Sequence, residues 1–124
     1  MDEAQSNIEV VDAALTAIQG GDLDGALGRF EEDARWGVAR SLPQGGLHTG
    51  RGEIGKMLGA VRERFSGGYK FLHLTVHGTK DHVFAEATRS AGKERGEGAE
   101  HVLMLFHVVM GRIREAREFV YEVH

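Results

Sequence analysis

The stretch that most constrains this chain is HVLMLFHVVMGRIREAREFVYEVH, residues 101–124. Apolar and polar residues alternate on both sides of a central Met110-Gly111 pair, which is typical of two antiparallel strands joined by a tight turn. If Gly111 supplies the positive backbone angle that a two-residue turn needs, Val109 lies opposite Arg112. The rest of the chain is then expected to cover this hairpin.

This register predicts which side chains share a face, because side chains alternate along a strand. Continued along the hairpin, it predicts the pairs His107 with Arg114, Leu105 with Ala116, Leu103 with Glu118, and His101 with Val120. The opposite face is predicted to carry Val102, Met104, Phe106, Val108, Ile113, Glu115, Arg117, Phe119 and Tyr121. Neither face is uniformly polar or apolar. We therefore expect helices on one side of the sheet and, in part, a second subunit on the other.

Composition limits the class of protein. The chain has 124 residues, of which 41% are hydrophobic, so we expect one domain spanning residues 1–124. A formal charge of -4 with no basic run argues against nucleic acid or an anionic membrane as a partner. The chain has no cysteine, which excludes thiol chemistry. It also shows no apolar run of the roughly 18 residues that a membrane span needs and no signal peptide, so we expect a cytoplasmic protein.

The order of predicted elements indicates an α+β fold. Helical spacing predicts helices over residues 7–18, 22–32 and 53–65, with Asp22 capping the second, and a loop without regular structure over residues 41–52. Strand patterns cover residues 34–40, 69–78 and 82–90, followed by an exposed loop over 91–100 and the hairpin. The prediction is three N-terminal helices packed on a strongly bent, mostly antiparallel sheet.

Four segments carry a resemblance to a known family: AIQGGDLDGAL, FEEDARW, GLHTGRGEIGKML and GRIREAREFVY. Together they resemble the NTF2-like superfamily, and within it the SnoaL-like and ketosteroid-isomerase-related proteins. The resemblance covers nearly the whole chain. It implies a cone-shaped α+β roll, in which a bent sheet surrounds a hydrophobic pocket fenced by the helices. It also implies a homodimer through the outer face of the sheet.

The catalytic residues of the best-known members are mostly missing. The ketosteroid isomerase tyrosine, general base and second acid correspond to Ala14, Val38 and Leu105, none of which can transfer a proton. The aspartate of the dehydratase-like members corresponds to Gln19. Steroid isomerisation by the family's usual residues is therefore not expected.

Limonene-epoxide-hydrolase-like members use an arginine and two aspartates. Their positions correspond to Ala87, Arg89 and Glu118, and only Glu118 keeps a carboxylate. An epoxide-hydrolase-like activity is accordingly a weaker third hypothesis.

The resemblance and the hairpin register together predict a catalytic group of Arg89, His101 and Glu118 in an apolar wall. Glu118 would orient the His101 imidazole, His101 would act as acid or base, and Arg89 would bind an enolate or carboxylate. The alternative is that Arg89 and Glu118 form a buried ion pair and that His101 only completes its hydrogen bonds. The predicted substrate-binding wall consists of Trp36, Val38, Arg40, Met57, Val61, Ala87, Leu103, Leu105, His107 and Ala116.

Two functions follow as hypotheses. The first is a SnoaL-like, polyketide cyclase-like enzyme that cyclises or isomerises a small hydrophobic carbonyl compound by acid-base chemistry. No cofactor is expected, and no metal, since His73 and His77 share a strand face that lacks a carboxylate. The second is a non-catalytic protein that binds a hydrophobic molecule or assembles as a homodimer. For either, the predicted dimer face consists of Val102, Met104, Phe106 and Tyr121.

Overall fold

The computed structural model describes residues 3–40, 44–64, 70–90 and 100–123. The elements are α1 (Glu3–Gly20), α2 (Leu23–Leu27), β1 (Phe30–Val38), β2 (Gly46–Thr49), α3 (Gly50–Arg64), β3 (Lys70–Gly78), β4 (His82–Ser90), β5 (Glu100–Val109) and β6 (Arg112–Val123). The strands form one six-stranded sheet in the order β2-β1-β6-β5-β4-β3. Strand β1 runs parallel to β6, and every other neighbouring pair is antiparallel. The predicted α+β class and mostly antiparallel sheet are confirmed.

The prediction of three N-terminal helices is only partly correct. Two helices precede the first strand, and α2 has 5 residues, so Phe30 begins β1 and does not extend the helix. The third helix follows β2, a strand that lies inside the predicted loop and pairs with β1. Both errors have one cause: pairing with neighbouring strands overrides a weak local helix or loop preference.

Helices α1 and α3 each pack one apolar stripe against the sheet, and the short α2 packs against both helices. In α1 the buried apolar residues are Val11, Ala14, Leu15 and Ile18. In α3 they are Ile54, Met57, Leu58 and Val61. The Asp22 side chain accepts a hydrogen bond from the Gly25 amide at 3.0 Å and caps α2, as predicted. At the start of α3, Glu53 accepts a hydrogen bond from the Thr49 amide at 3.0 Å.

We call the helix-covered side of the sheet the inner face and the other side the outer face. The inner-face apolar residues are Phe30, Ala34, Trp36, Val38, Val83, Ala85, Ala87, Val102, Met104, Phe106, Val108, Ile113 and Ala116, each at most 7% exposed. Fully burying a large apolar side chain stabilises a fold by roughly 1.5–3 kcal/mol. This set therefore contributes much of the free energy that holds the helices on the sheet.

The hairpin begins in the predicted register and then leaves it. Val109 pairs with Arg112 and Val108 with Ile113, but His107 pairs with Glu115. Arg114 is thus the extra residue of a β-bulge, which shifts the pairs from His107 to Val102 by one residue, and a second irregularity between His101 and Val102 shifts the last two pairs further. Its exposed guanidinium reaches across to Glu31 in β1, with Nε 3.1 Å from Oε2. This hydrogen bond, together with the charge of Glu31, raises the pKa of Arg114.

The three residues between the predicted strands over 69–78 and 82–90 form a tight turn between β3 and β4. The Thr79 amide donates to the His82 carbonyl at 2.7 Å, and the His82 amide donates to the Thr79 hydroxyl at 3.2 Å. The predicted loop over 91–100 lies outside the described residues except for Glu100, which begins β5.

Candidate functional site

The inner face carries two ordered rows of side chains across its central strands. In one row Trp36 pairs with Ala116, which pairs with Phe106, which pairs with Val83. In the next row Val38 pairs with Glu118, Glu118 with Met104, and Met104 with Ala85. Helix α3 packs over β1, and α1 packs over β3 and β4. The helices and these rows enclose the interior of the molecule.

Glu118 is the polar residue within these rows. It is 4% exposed, and its flanking partners are the apolar Val38 and Met104. Placing a carboxylate among apolar groups costs several kcal/mol unless hydrogen bonds or charges compensate. A polar group that is buried in an otherwise apolar wall is typical of small-molecule sites, which makes Glu118 a candidate acid-base residue.

Glu100 is a second buried carboxylate that the sequence reasoning missed. It is 4% exposed and belongs to the same alternating set of β5 as Val102, Met104, Phe106 and Val108. Its Cα partner in β4 is Arg89. The sequence could have indicated this burial. Every second residue from Val102 to Val108 is apolar, and Glu100 precedes Val102 by two positions, so its side chain lies on the same face of β5.

Trp36 forms the aromatic centre of the inner face. Its ring stacks on Phe30 with centroids 5.8 Å apart and meets Phe106 edge to face at 5.9 Å. The residue is 1% exposed, and its indole Nε1 has no hydrogen-bond partner among the residues that the structure describes. A buried donor without an acceptor costs about 1–3 kcal/mol.

The structure contradicts the predicted inner face of β5. His101, Leu103, Leu105 and His107 lie on the outer face and are partly exposed, whereas the residues predicted for the dimer face, Val102, Met104 and Phe106, are core. The reason is the hydrophobic effect: β5 offers one wholly apolar set and one mixed set, and the apolar set takes the buried side. The side chain of Tyr121, the fourth predicted dimer residue, lies outside the described residues.

The predicted group of Arg89, His101 and Glu118 does not assemble. Glu118 faces inward, while His101 lies on the outer face, where its Nδ1 is 2.9 Å from the Thr88 hydroxyl. Arg89 is described by its backbone, which pairs with Glu100 and Phe71. The bulge at Arg114 is the physical cause, because it changes the partner of Glu118 from Leu103 to Met104.

The residues predicted to bind substrate divide between the two faces. Six of them are buried on the inner face or on α3 facing it: Trp36, Val38, Met57, Val61, Ala87 and Ala116. The other four do not join them. Leu103, Leu105 and His107 point outward, and Arg40 is exposed in the turn after β1. The ligand-binding role of the first six stays a prediction.

The outer face has a depression of its own, lined by both apolar and charged residues. It encloses about 550 Å³ between β1, β2 and β6, and its lining includes Gly37, Leu47, Arg117 and Phe119. Leu47 is 63% exposed and Phe119 is 46% exposed. Glu115 binds two guanidiniums beside it, Arg35 at 2.9 Å and Arg117 at 3.0 Å. The outer face therefore combines exposed apolar groups with a paired set of charges.

Two histidines stack on the same outer face. The rings of His82 and His107 lie 4.9 Å apart with an interplanar angle of 12°, beside a depression of about 250 Å³ that Glu115 also lines. Within the described ranges, no group of three His, Asp or Glu side chains could hold a metal ion.

Comparison with solved structures shows the fold. Bal32a, from a soil-derived mobile gene cassette, is 26% identical, with a TM-score of 0.83 over 98% of this chain and 93% of that one. TerC, co-crystallised with polyporic acid, is 20% identical, with a TM-score of 0.79 over 94% and 92%. A proposed polyketide cyclase from Xanthomonas campestris pv. campestris is 21% identical, with a TM-score of 0.75 over 98% and 93%. These likenesses define an α+β protein of the NTF2-like fold.

The family profile described as the SnoaL-like domain matches residues 11–116. The chain belongs to this SnoaL-like family, as the sequence segments predict. No functionally curated protein matches the chain significantly. Among the described residues, none of the helices is long and apolar enough to span a membrane.

Proposed function

We propose that this protein is a SnoaL-like enzyme that uses Glu118 for acid-base chemistry on a small hydrophobic carbonyl or polyketide-like molecule. The observation that carries the proposal is the 4% exposed Glu118 carboxylate, which stands between Val38 and Met104 in an apolar wall. A carboxylate there can take a proton from carbon and return it without competition from bulk water. The ligand would sit between the inner face and the helices.

The proposed chemistry begins with removal of a proton from the carbon next to a carbonyl. The Glu118 carboxylate accepts this proton, and the electrons of the broken C–H bond form an enolate. In an unsaturated ketone the product is a dienolate, and return of the proton to its far carbon completes an isomerisation. In a diketone the enolate carbon attacks the second carbonyl carbon, and the alkoxide that forms takes the proton back from Glu118, which completes a cyclisation. Neither route changes an oxidation state.

The other predicted residues take revised places in this proposal. His101 is removed from the catalytic group, because the sheet separates it from Glu118. Arg89 stays as the proposed anion-binding residue; its Cα partner is Glu100, on the inner face of β5. The proposed wall consists of Trp36, Val38, Met57, Val61, Ala87 and Ala116.

Two relatives support the choice of substrate class. TerC was co-crystallised with polyporic acid, and the Xanthomonas structure is that of a proposed polyketide cyclase. Both share the fold over more than nine-tenths of this chain. A hydrophobic carbonyl compound for this protein is our inference from these relatives and from the apolar wall around Glu118.

The proposal is tested by proton exchange on a simple ketone. The ketone β-tetralone has acidic protons next to its carbonyl, and their replacement by deuterium in deuterated water is followed by NMR. We expect the protein to accelerate this exchange and Glu118→Gln to lower the catalysed rate by about a hundredfold or more, because the amide cannot accept the proton. Binding of the ketone should survive in Glu118→Gln, since the substitution preserves the shape of the side chain.

The matched control is Glu86→Gln, which removes an exposed outer-face carboxylate opposite Leu103. This variant should exchange protons at the wild-type rate. Equal loss in both variants, or no loss in Glu118→Gln, would contradict the assignment of Glu118 as the base.

A non-catalytic role is the second candidate. A wild-type protein that binds β-tetralone without accelerating exchange would be a carrier or binding protein for hydrophobic molecules. Epoxide hydrolysis remains the weaker hypothesis. Of the three positions that correspond to the catalytic residues of limonene-epoxide-hydrolase-like proteins, only Glu118 has a carboxylate.

We also propose that the chain forms a homodimer through the outer face of its sheet. The exposed apolar side chains Leu47, Phe84 and Phe119 on that face support this proposal, because burial against a second copy would remove them from water. A single domain over residues 1–124 and a cytoplasmic location stay predictions.

A further inference from the structure

The indole N–H of Trp36 is a buried hydrogen-bond donor that no described residue accepts from. Trp36 is 1% exposed, and among the described residues its Nε1 meets no acceptor. Its ring is held by Phe30 on one side and by Phe106 at its edge. The donor is therefore rigidly placed and shielded from water, and its hydrogen-bonding capacity is unused among the described residues.

Trp36 lies close to Glu118 on the same face. Strands β1 and β6 run parallel, with Trp36 opposite Ala116 and Val38 opposite Glu118. Trp36 and Glu118 are thus diagonal neighbours on adjacent strands, about 7–8 Å apart at their Cα atoms. The direct neighbour of the indole on β6 is the single methyl group of Ala116. A molecule in contact with both polar groups would lie over Ala116.

We propose that Trp36 is a ligand-binding and specificity residue whose Nε1–H donates to the carbonyl oxygen of the molecule on which Glu118 acts. This inference rests on the proposed function and extends it by naming the acceptor that the ligand must carry. The Glu118 carboxylate takes a proton from the carbon next to the carbonyl, and the C–H electrons form the enolate C=C bond. The negative charge that develops on the oxygen is stabilised by the indole N–H.

The Trp36 N–H also makes the site selective for ligands that carry a hydrogen-bond acceptor. A buried donor discriminates strongly against a ligand that lacks its acceptor, because the donor then stays unpaired. Ketones and enones are preferred over hydrocarbons of the same shape. The apolar surroundings of Trp36 alone would give no such preference.

The test uses β-tetralone and tetralin, which share a ring skeleton and differ in the carbonyl. Trp36 is the one tryptophan of the chain, so a nitrogen-labelled sample has one indole N–H resonance. We expect β-tetralone to move this proton resonance downfield, as a new hydrogen bond does, while tetralin shifts resonances of inner-face methyl groups and leaves the indole proton in place. This titration uses the unsubstituted protein and does not depend on a variant folding.

A substitution gives the matching affinity measurement. In Trp36→Phe we expect binding of β-tetralone to weaken about threefold to tenfold, which corresponds to one neutral hydrogen bond, and tetralin binding to stay within twofold. Equal weakening for the two probes would show that Trp36 contributes ring packing alone and would overturn the inference.

The titration tests the role of Trp36 and the exchange experiment tests the role of Glu118, so either role can be contradicted without the other. An indole shift with β-tetralone alone, combined with unchanged proton exchange in Glu118→Gln, supports Trp36 and rejects Glu118 as the base. If neither probe shifts the indole proton resonance and Glu118→Gln loses the catalysed exchange, Trp36 is not the hydrogen-bond donor and Glu118 remains the base. Binding of neither probe overturns both.

Discussion

Gly78 shows how close the helical layer lies to the sheet at one residue. A Cβ atom added there would lie 2.6 Å from Cγ1 of Ile8 and 3.2 Å from the Ala4 carbonyl oxygen, both in α1. The helix backbone reaches the end of β3 because no side chain stands between them. The position needs glycine for space and not for an unusual backbone angle.

Gly78→Ala is therefore expected to destabilise the fold by about 1–3 kcal/mol, the usual cost of overpacking. Gly59 in α3 is the matched control, since an added Cβ there meets nothing within 4 Å. Gly59→Ala should stabilise the fold by about 0.5–1 kcal/mol by favouring the helical backbone. Urea unfolding at a constant m-value measures both changes, and a neutral Gly78→Ala would contradict the close approach.

The family resemblance and the predicted register identified part of the candidate site. Trp36, Val38 and Glu118 were placed on the pocket side from the sequence, and the structure buries all three on the inner face. His101 was placed beside Glu118, and the structure puts it on the outer face. The difference arises because residue type says which groups tolerate burial, whereas the strand register decides which of them meet.

At the scale of an element, the β5–β6 hairpin is the feature that the sequence predicts most directly. Its turn is the predicted Met110-Gly111 pair, and both residues have positive φ, 49° and 80°. Such angles match the two-residue turns that suit the twist of a hairpin. Met110 is 97% exposed, so no packing compensates its left-handed backbone.

Met110→Asn should consequently stabilise the protein by about 0.5–1 kcal/mol, because asparagine adopts positive φ more readily than methionine. Met110→Val should have the opposite sign, since a β-branched side chain is strained at that angle. Thermal and urea unfolding of the two variants would measure the pair. Equal stability of the two would show that backbone strain at the turn contributes nothing.

In the sequence, the sign of the bulge in β6 is the spacing of the apolar residues of that strand. Ile113 and Ala116 both point inward although three positions separate them, an odd number that a regular strand cannot accommodate on one face. Arg114 and Glu115 between them are polar and reach outward to Glu31 and Arg35. A register continued from the turn without this irregularity assigns the later residues of β6 partners that are wrong by at least one position.

At the scale of the whole molecule, the outer face presents an apolar surface beside paired charges. Leu47 belongs to the edge strand β2 and Phe119 to β6, on either side of the depression at Gly37. Gly37 leaves this depression open, because it lies in β1 between those two strands and has no side chain. A second copy packed there would cover both exposed side chains.

Light scattering at micromolar concentration should accordingly give twice the mass of one chain. Replacing Leu47 and Phe119 together by lysine should give the mass of a monomer with little loss of fold stability, since both side chains are exposed. Met110→Lys is the control, because Met110 is also exposed but lies at the tip of the hairpin. A wild-type monomer, or a lysine double variant that stays dimeric, would contradict the outer-face dimer.

The α+β class, the family, the hairpin and its turn can be predicted from the sequence, because they follow from local periodicity, turn residues and short segments. Tertiary structure alone decided the parallel pairing of β1 with β6, the position of α3 between strands and the burial of the apolar side of β5. Alternation groups the residues of a strand into two faces but does not say which face is covered. That choice depends on helices and strands distant in the chain, and it leaves Glu118 and Trp36 together on the inner face and His101 on the outer one.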